Sequence, residues 1–350
     1  MSINITQLKT ELGAFFRKHS NEIRAMVYSD EVMINKYTRP ITKVKGKFPA
    51  MHSVASHVVQ GFQAVWNELG GIKIKVNELV NYHQKVNFPI VPAEIEGSWL
   101  AWMNEESKGL KDKSISRYIM NEELKPKVIA DIETLSGDAV YDATKLDEFG
   151  YSMNGLKKIL NDAAANSENP LYKIQLLAID DDTIVDEVTK FERAIPKSIR
   201  KFITKIYMST NNLERYVIDY ENQFGANTLI KSGDMMKTRL GKRMIVGLDC
   251  LDDPDFSYIF ATPDRNFLRL IDEFDKPQIT DIQTLDYKVK IFMEWWLGYA
   301  FWTNQLVLMA AFDSSASGAV EGLGSATDDD DYYAIGAIPS SSGSASASGS

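Results

Sequence analysis

The residues with the widest chemical repertoire are four histidines, His19, His52, His57 and His83, and one cysteine, Cys250. They are where a metal centre or a nucleophile has to be sought first. His52 and His57 stand five residues apart, about 140° round a helix, and no carboxylate or cysteine sits at ligand spacing beside them. The pattern reads as solvated or packing histidines. Cys250 lies in the apolar run MIVGLDCL and reads as a buried strand thiol; a lone cysteine excludes an internal disulfide and a cysteine metal cluster. Asp180, Asp181 and Asp182, with Asp186 and Glu187, have the composition of a two-metal carboxylate site. They precede a predicted helix, however, where free amides and the dipole favour acidic side chains, so capping is the expected role. The run Asp328 to Asp331 sits in a tail where unconfined carboxylates hold a cation only loosely. No GxGxxG occurs, no GxSxG, and no GxxxxGK followed by Ser or Thr. No catalytic, cofactor-binding or metal-binding residue is expected.

What remains is charge on predicted surfaces. Lys43 and Lys45 in ITKVKGKF, and Lys73 and Lys75 in IKIKV, alternate with apolar residues, which marks strands with one solvated lysine face. Lys197, Arg200, Lys201 and Lys205 cluster in KSIRKFITK. These eight residues are the candidate subunit contacts, and a solvated face is the plain alternative.

The elements that would position them follow from periodicity. Leu8, Leu12, Phe15 and Phe16, continued by Ile23, Met26 and Val27, make residues 1–37 helical, an amphipathic arm that must pack on something. From Ile41 to about Trp99 the chain carries too many glycines and prolines for one compact sheet and predicts a long excursion, part helix near Val54 to Trp66 and part β. Ser114 or Ser116 caps a helical piece, and Pro126 opens a long helix with Val128, Ile132, Leu135 and Ala139 on one face. Ile184, Val188, Phe191 and Ile195 predict a helix ending near Pro196; ITKIYMS predicts a strand, closed and capped by Asn211 and Asn212. Leu213, Tyr216, Val217, Tyr220 and Phe224 predict a second helix with Gly225 at its C-cap. The fold class is α+β. Ile291 to Phe312 is apolar enough to pose as a membrane span, but Glu294, Asn304 and Gln305 make buried strands the reading.

Bulk numbers describe a globular chain and argue against one that grips nucleic acid. In 350 residues, 44% are apolar, ample for a large core, and a net charge of −9 argues against a chain whose task is phosphate neutralisation. No signal peptide is expected from MSINITQLKTELGAFF. From Asp313 onward the composition turns to Ser, Gly, Ala and Asp, which predicts a flexible tail.

Two phrases carry a resemblance. KFERAIPKSIRKFITKIYMSTNNLERYVIDY, and RMIVGLDCLDD followed by SYIFATPDRNFLRLIDEF with its Thr-Pro and then Asn266, resemble the A-domain helices and paired strands of tailed-bacteriophage major capsid proteins, the HK-ninety-seven-like fold. The likeness is clearest from Ser114 to Trp302. It implies an N-terminal arm (1–37), an E-loop-like extension (38–100), a P-domain (101–153) with a spine helix (125–143), an A-domain (154–274), P-domain return strands (275–312) and a tail (313–350) that is no family feature. It further implies self-assembly through hexamers and pentamers into an icosahedral virion shell around phage DNA, without an enzyme's chemistry, cofactor or membrane. Expected partners are a portal, a separate scaffolding protein and a decoration protein, with assembly in the bacterial host cytoplasm. Three other readings stay open: an encapsulin-like compartment, a metal-dependent hydrolase built on Asp180 to Asp186, and a phage tail or baseplate component.

Overall fold

The computed structural model describes residues 5–28, 30–55, 61–66, 72–104, 114–166, 169–197, 199–225, 231–232, 235–253, 257–272, 279–285, 287–312 and 320–321. The tail beyond 321 lies outside them.

Helices α1 (Ile5–Lys18) and α2 (Ser20–Tyr28) open the chain, and a 3-10 turn (Met33–Tyr37) leads to strand β1 (Arg39–Ile41). The α1 stripe of Leu8, Leu12 and Phe16 is buried in the chain's own largest core. The arm therefore finds its partner within the same subunit. Strands β2 (Lys47–Ala55) and β3 (Ile72–Val80) form a separate two-stranded antiparallel ribbon, in register from Lys47 opposite Val80 to Ala55 opposite Ile72. Of the helix expected near Val54 to Trp66, Val54 and Ala55 are strand and residues 61–66 are not helical; residues 56–60 lie outside the described residues.

Strand β4 (Tyr82–Ile90) and helix α3 (Pro92–Met103) follow. Both belong to the body, so the excursion is shorter than 38–100. A continuous helix then runs from Ile115 to Asp138 as α4 (Ile115–Tyr118), a π turn (Ile119–Leu124) and α5 (Lys125–Asp138). Pro126 does not open a new helix. It lacks an N–H and its ring would strike the carbonyl four residues back, and the wider π turn before it absorbs both defects. The helix stops at Asp138, short of Ala143. Ala139 is extended (ψ 143°), and a Cβ on Gly137 would lie 1.9 Å from the Cys250 carbonyl oxygen, so the backbones meet there.

Helix α6 (Leu156–Ala165) packs on α5. Its Lys157 Nζ donates to Asp138 Oδ1 at 2.5 Å and to the Asp252 carbonyl at 2.8 Å. Beyond it come β5 (Tyr172–Leu176), α7 (Ile184–Ala194), β6 (Lys205–Ser209), α8 (Thr210–Phe224), β7 (Lys231–Ser232), β8 (Met235–Lys237), β9 (Met244–Leu248) and β10 (Ile259–Ala261). The α8 cap is Ser209, whose side chain accepts from Asn212 N, and not Asn211 or Asn212; Gly225 takes φ +83° at the C-cap. The last strands are β11 (Phe267–Ile271), β12 (Ile279–Leu285), β13 (Lys288–Phe301), β14 (Leu308–Phe312) and β15 (Val320–Glu321).

Two sheets organise these strands. The first has the order β1-β11-β13-β12 with β4 also on β13; the second runs β15-β5-β14-β10-β6-β9-β8-β7 and carries α7 and α8. Val289 pairs with both Thr284 and Ile90, so β12 and β4 flank β13 on opposite edges. After first passing from β4 to β5, the chain crosses between sheets again from β10 to β11 and from β13 to β14. The pairing cuts across two expected boundaries: β11, expected with residues 154–274, lies in the first sheet, and β14, expected among residues 275–312, lies in the second. Strand pairing across the body, not proximity in sequence, decides both. Ile291 to Phe312 forms buried strands as expected, and no described helix is long and apolar enough to cross a membrane.

Asn266 holds both of the later crossings. Its Nδ2 donates to Thr262 Oγ1 and to the Thr303 carbonyl, each at 2.9 Å, and its Oδ1 accepts from Thr303 N at 2.8 Å. The residue is 4% exposed. Asn266→Ala leaves buried donors and acceptors on both linkers unpaired, at about 1–3 kcal/mol per orphaned group. We expect a loss of about 2–4 kcal/mol in urea unfolding with an unchanged m-value.

Candidate assembly surfaces

Opposed residues of an antiparallel pair point to the same side. On the β2–β3 ribbon this gives one face with Ala50, His52, Lys75, Asn77 and Leu79, and another with Met51, Ile74 and Val76. The first faces the body. Ala50 and Leu79 are fully buried with Leu268 and Leu270, and Asn77 Nδ2 donates to the Phe301 carbonyl at 2.7 Å and to Asn304 Oδ1 at 3.0 Å. His52 sits on the same side near Lys75, and burial first, then that charge, lowers its pKa. The second face is open: Met51, Ile74 and Val76 are 63%, 71% and 53% exposed, and Phe62 and Trp66 near the tip are 97% and 91% exposed. The expected polarity is thus inverted, with the lysine-bearing face turned inward and the isoleucine-bearing face outward. Lys73 pairs with Val54 in the ribbon's register. The base is pinned by Asn81, which donates from N to the Gly46 carbonyl and from Nδ2 to the Val44 carbonyl, with Gly46 at φ +70°.

Other candidate contacts are partly occupied within the chain. Lys45 pairs with Asp272 at 3.2 Å, while Lys43 is exposed at φ 64° with its amide on the Asp272 carbonyl. Arg200 donates to the Ile195 and Arg193 carbonyls and closes the C-terminal end of α7. Lys205 pairs with Asp264 at 2.8 Å, and Lys201 lies over the Phe202 ring at 4.8 Å. Lys197 and Lys201 are exposed. The cluster is held from below by Arg243, which bonds Glu192 at 2.6 Å and the Arg200 carbonyl at 3.0 Å; both ion-pair side chains are buried.

Four carboxylates of the acidic run, those of Asp180, Asp181, Asp186 and Glu187, have structural duties. Asp180 accepts from Asp182 N and Thr183 Oγ1, Asp181 pairs with Arg215, and Asp186 pairs with Arg239. Glu187 is buried and accepts from Leu177 N. The α7 N-terminus is capped from elsewhere, by Asp219 of α8 accepting from Val185 N at 2.9 Å. Among the described residues no three His, Cys, Asp or Glu side chains gather at metal-binding distance. Cys250 lies in a 3-10 turn (Asp249–Leu251) and not in a strand, and burial pushes its thiol up to about 12.

A further surface has no counterpart in the sequence reading. Residues 139–155 form a loop closed by Gly155 N on the Ala139 carbonyl at 2.7 Å and Val140 N on the Gly150 carbonyl at 3.0 Å, with Gly150 at φ +101°. It presents Leu146 and Phe149, both more than half exposed. The signal was the pair of apolar residues on either side of an acidic dipeptide, masked by reading Val140 and Tyr141 into the preceding helix.

No protein-family model matches the sequence, and no curated protein matches it. Solved structures with similar chains include the capsid of an empty GTA particle (11% identity, 80% of this chain and 95% of that chain, TM-score 0.49). They also include the satellite phage P4 procapsid with its size-determination protein (9%, 85% and 91%, TM-score 0.49). A third is the holo-SrpI encapsulin complex of Synechococcus elongatus PCC 7942 (7%, 83% and 90%, TM-score 0.46).

Glu192→Ala strands the Arg243 guanidinium in the core and should cost about 3–5 kcal/mol in chemical unfolding, whereas Lys201→Ala on the exposed rim should stay within about 0.5 kcal/mol of the parent. The Cys250 thiol should resist an aromatic disulfide reagent at pH 8 in the folded protein and react at once in denaturant.

Proposed function

We propose that this chain is the major capsid protein of a tailed bacteriophage, a structural and non-catalytic subunit. It assembles through hexamers and pentamers into the icosahedral shell that encloses the packaged DNA. The observation that carries this reading is the ribbon: its outer face holds Met51, Ile74 and Val76 in water and ends in exposed Phe62 and Trp66. A two-stranded ribbon is marginal alone, and its inner face is already committed to the body. The outer face is completed by another copy.

Magnitudes fit a shell better than a tight dimer. Fully burying three such side chains is worth about 1.5–3 kcal/mol each, and since they are already about half covered the gain is on the order of 3–5 kcal/mol before association costs. That is millimolar binding or weaker for one contact. A closed assembly repeats the contact on every subunit and turns weak contacts into a durable whole. The order of parts also supports the reading: arm, projecting ribbon, long helix, and a sheet bearing two helices. A portal, a scaffolding protein and a decoration protein are its natural partners, the virion its location and the bacterial host cytoplasm its place of assembly. The net charge of −9 suits an inner wall that must not adhere to packed DNA.

Negative-stain microscopy of the purified protein, with scaffold if required, should show closed shells or capsomers; a monomer at high concentration under both conditions would refute the proposal. Ile74→Glu with Val76→Glu should leave circular dichroism and the thermal midpoint near those of the parent while abolishing shells. Normal shells from that variant would remove the ribbon from the assembly interface.

A further inference from the structure

Near the point where the two sheets are clamped, Arg39, Ile41, Arg265, Leu268, Trp302 and Leu306 line a crevice of about 340 Å³. Half-buried Trp302 gives it an apolar wall, and Arg39 and Arg265 stand exposed. Their neighbour Asp264 is taken by Lys205. Two guanidiniums beside an indole select an acidic segment that also carries an aromatic ring.

The same chain holds such a segment and sends it in this direction. Strand β15 runs antiparallel to β5, with Val320 opposite Ile174 and Glu321 opposite Lys173, so the chain leaves it toward Tyr172. Tyr172 is opposite Leu308 of β14, and Leu308 is opposite Ala261 of β10. Leu306 and Pro263, which border the crevice, lie just beyond that end of the sheet. From β15 to β10 is three strand spacings, about 14 Å. Between Glu321 and Asp328 stand six residues, GLGSAT, which span up to about 20 Å when extended. After them come Asp328 to Asp331 and then Tyr332 and Tyr333.

We propose that the segment Asp328 to Tyr333 docks in the crevice of its own subunit, the aspartates on Arg39 and Arg265 and a tyrosine ring against Trp302. The tail is then an acidic strap across the β10–β11 and β13–β14 crossings. This inference is independent of the capsid reading.

The test places an environment-sensitive bimane dye, which tryptophan quenches on contact, at Ala334→Cys in the full chain. Attachment leaves buried Cys250 unlabelled. About twofold quenching is expected at low salt, relieved in 0.5 M salt as the Debye length falls to about 4 Å. Trp302→Phe should abolish it, as should Arg39→Gln with Arg265→Gln; the arginine variants spare the apolar wall and guard against misfolding of the tryptophan variant. Absence of quenching, or quenching that ignores the arginine pair, would overturn the proposal. So would quenching that arises only between labelled and unlabelled subunits on assembly, which assigns the crevice to a neighbour's tail. A third contrary result is unquenched dye together with oligonucleotide binding that the arginine variants abolish, which assigns it to nucleic acid.

Discussion

The structure depends on a chain that leaves the eight-stranded sheet after β10, returns to it at β14, and must keep both of these crossings in register. Buried Asn266 is the device. One carboxamide satisfies Thr262 on the way out of the eight-stranded sheet and both backbone groups of Thr303 on the way back. Neither linker can supply these bonds from a neighbouring strand, and each buried orphan would cost more than a formed bond returns. Asn304 extends the arrangement, accepting from Asn77 of the ribbon and donating to the Asn169 carbonyl ahead of β5. The ribbon, the crossing and the first strand of the larger sheet are therefore fixed to one another by side-chain amides.

From this fixed base the ribbon projects with its apolar face outward. Folding of the single chain satisfies one side of the ribbon completely and leaves the other in water, a state that association relieves. The arm shows the opposite economy: α1 spends its apolar stripe inside the subunit. Among the described residues the ribbon, its tip and the loop 139–155 expose apolar side chains, as do Phe202, Ile218, Leu285 and Tyr287 elsewhere, whereas much of the basic and acidic surface is internally neutralised. Arg200 closes a helix, Lys205 and Lys45 hold carboxylates, and the acidic run is divided among Arg215, Arg239 and local turns.

Periodicity made the helices legible. The stripes on α1, α5, α7 and α8 lie where spacing puts them, because a 3.6-residue repeat of apolar side chains has only one way to reach a core. Asn266 and the Thr-Pro turn were also visible as a phrase, though not what the amide would bind. Boundaries failed where local and tertiary preferences compete: Pro126 sits inside a helix because a π turn makes room, and the helix ends at Asp138 because the backbone at Gly137 touches the backbone at Cys250.

By itself the sequence determined the class of the fold, the stripes of α1, α5, α7 and α8 and the alternation of IKIKV, since each is set by neighbours within a few residues. Tertiary structure alone decided which sheet each late strand joins and which side of the ribbon meets the body. Alternation states that two faces differ; it cannot state which is buried, because that follows from where Leu79, Asn77 and Ala50 find partners hundreds of residues away. Those partners, Leu268, Leu270 and the Phe301 carbonyl, turn the lysine face inward and leave the isoleucine face in water.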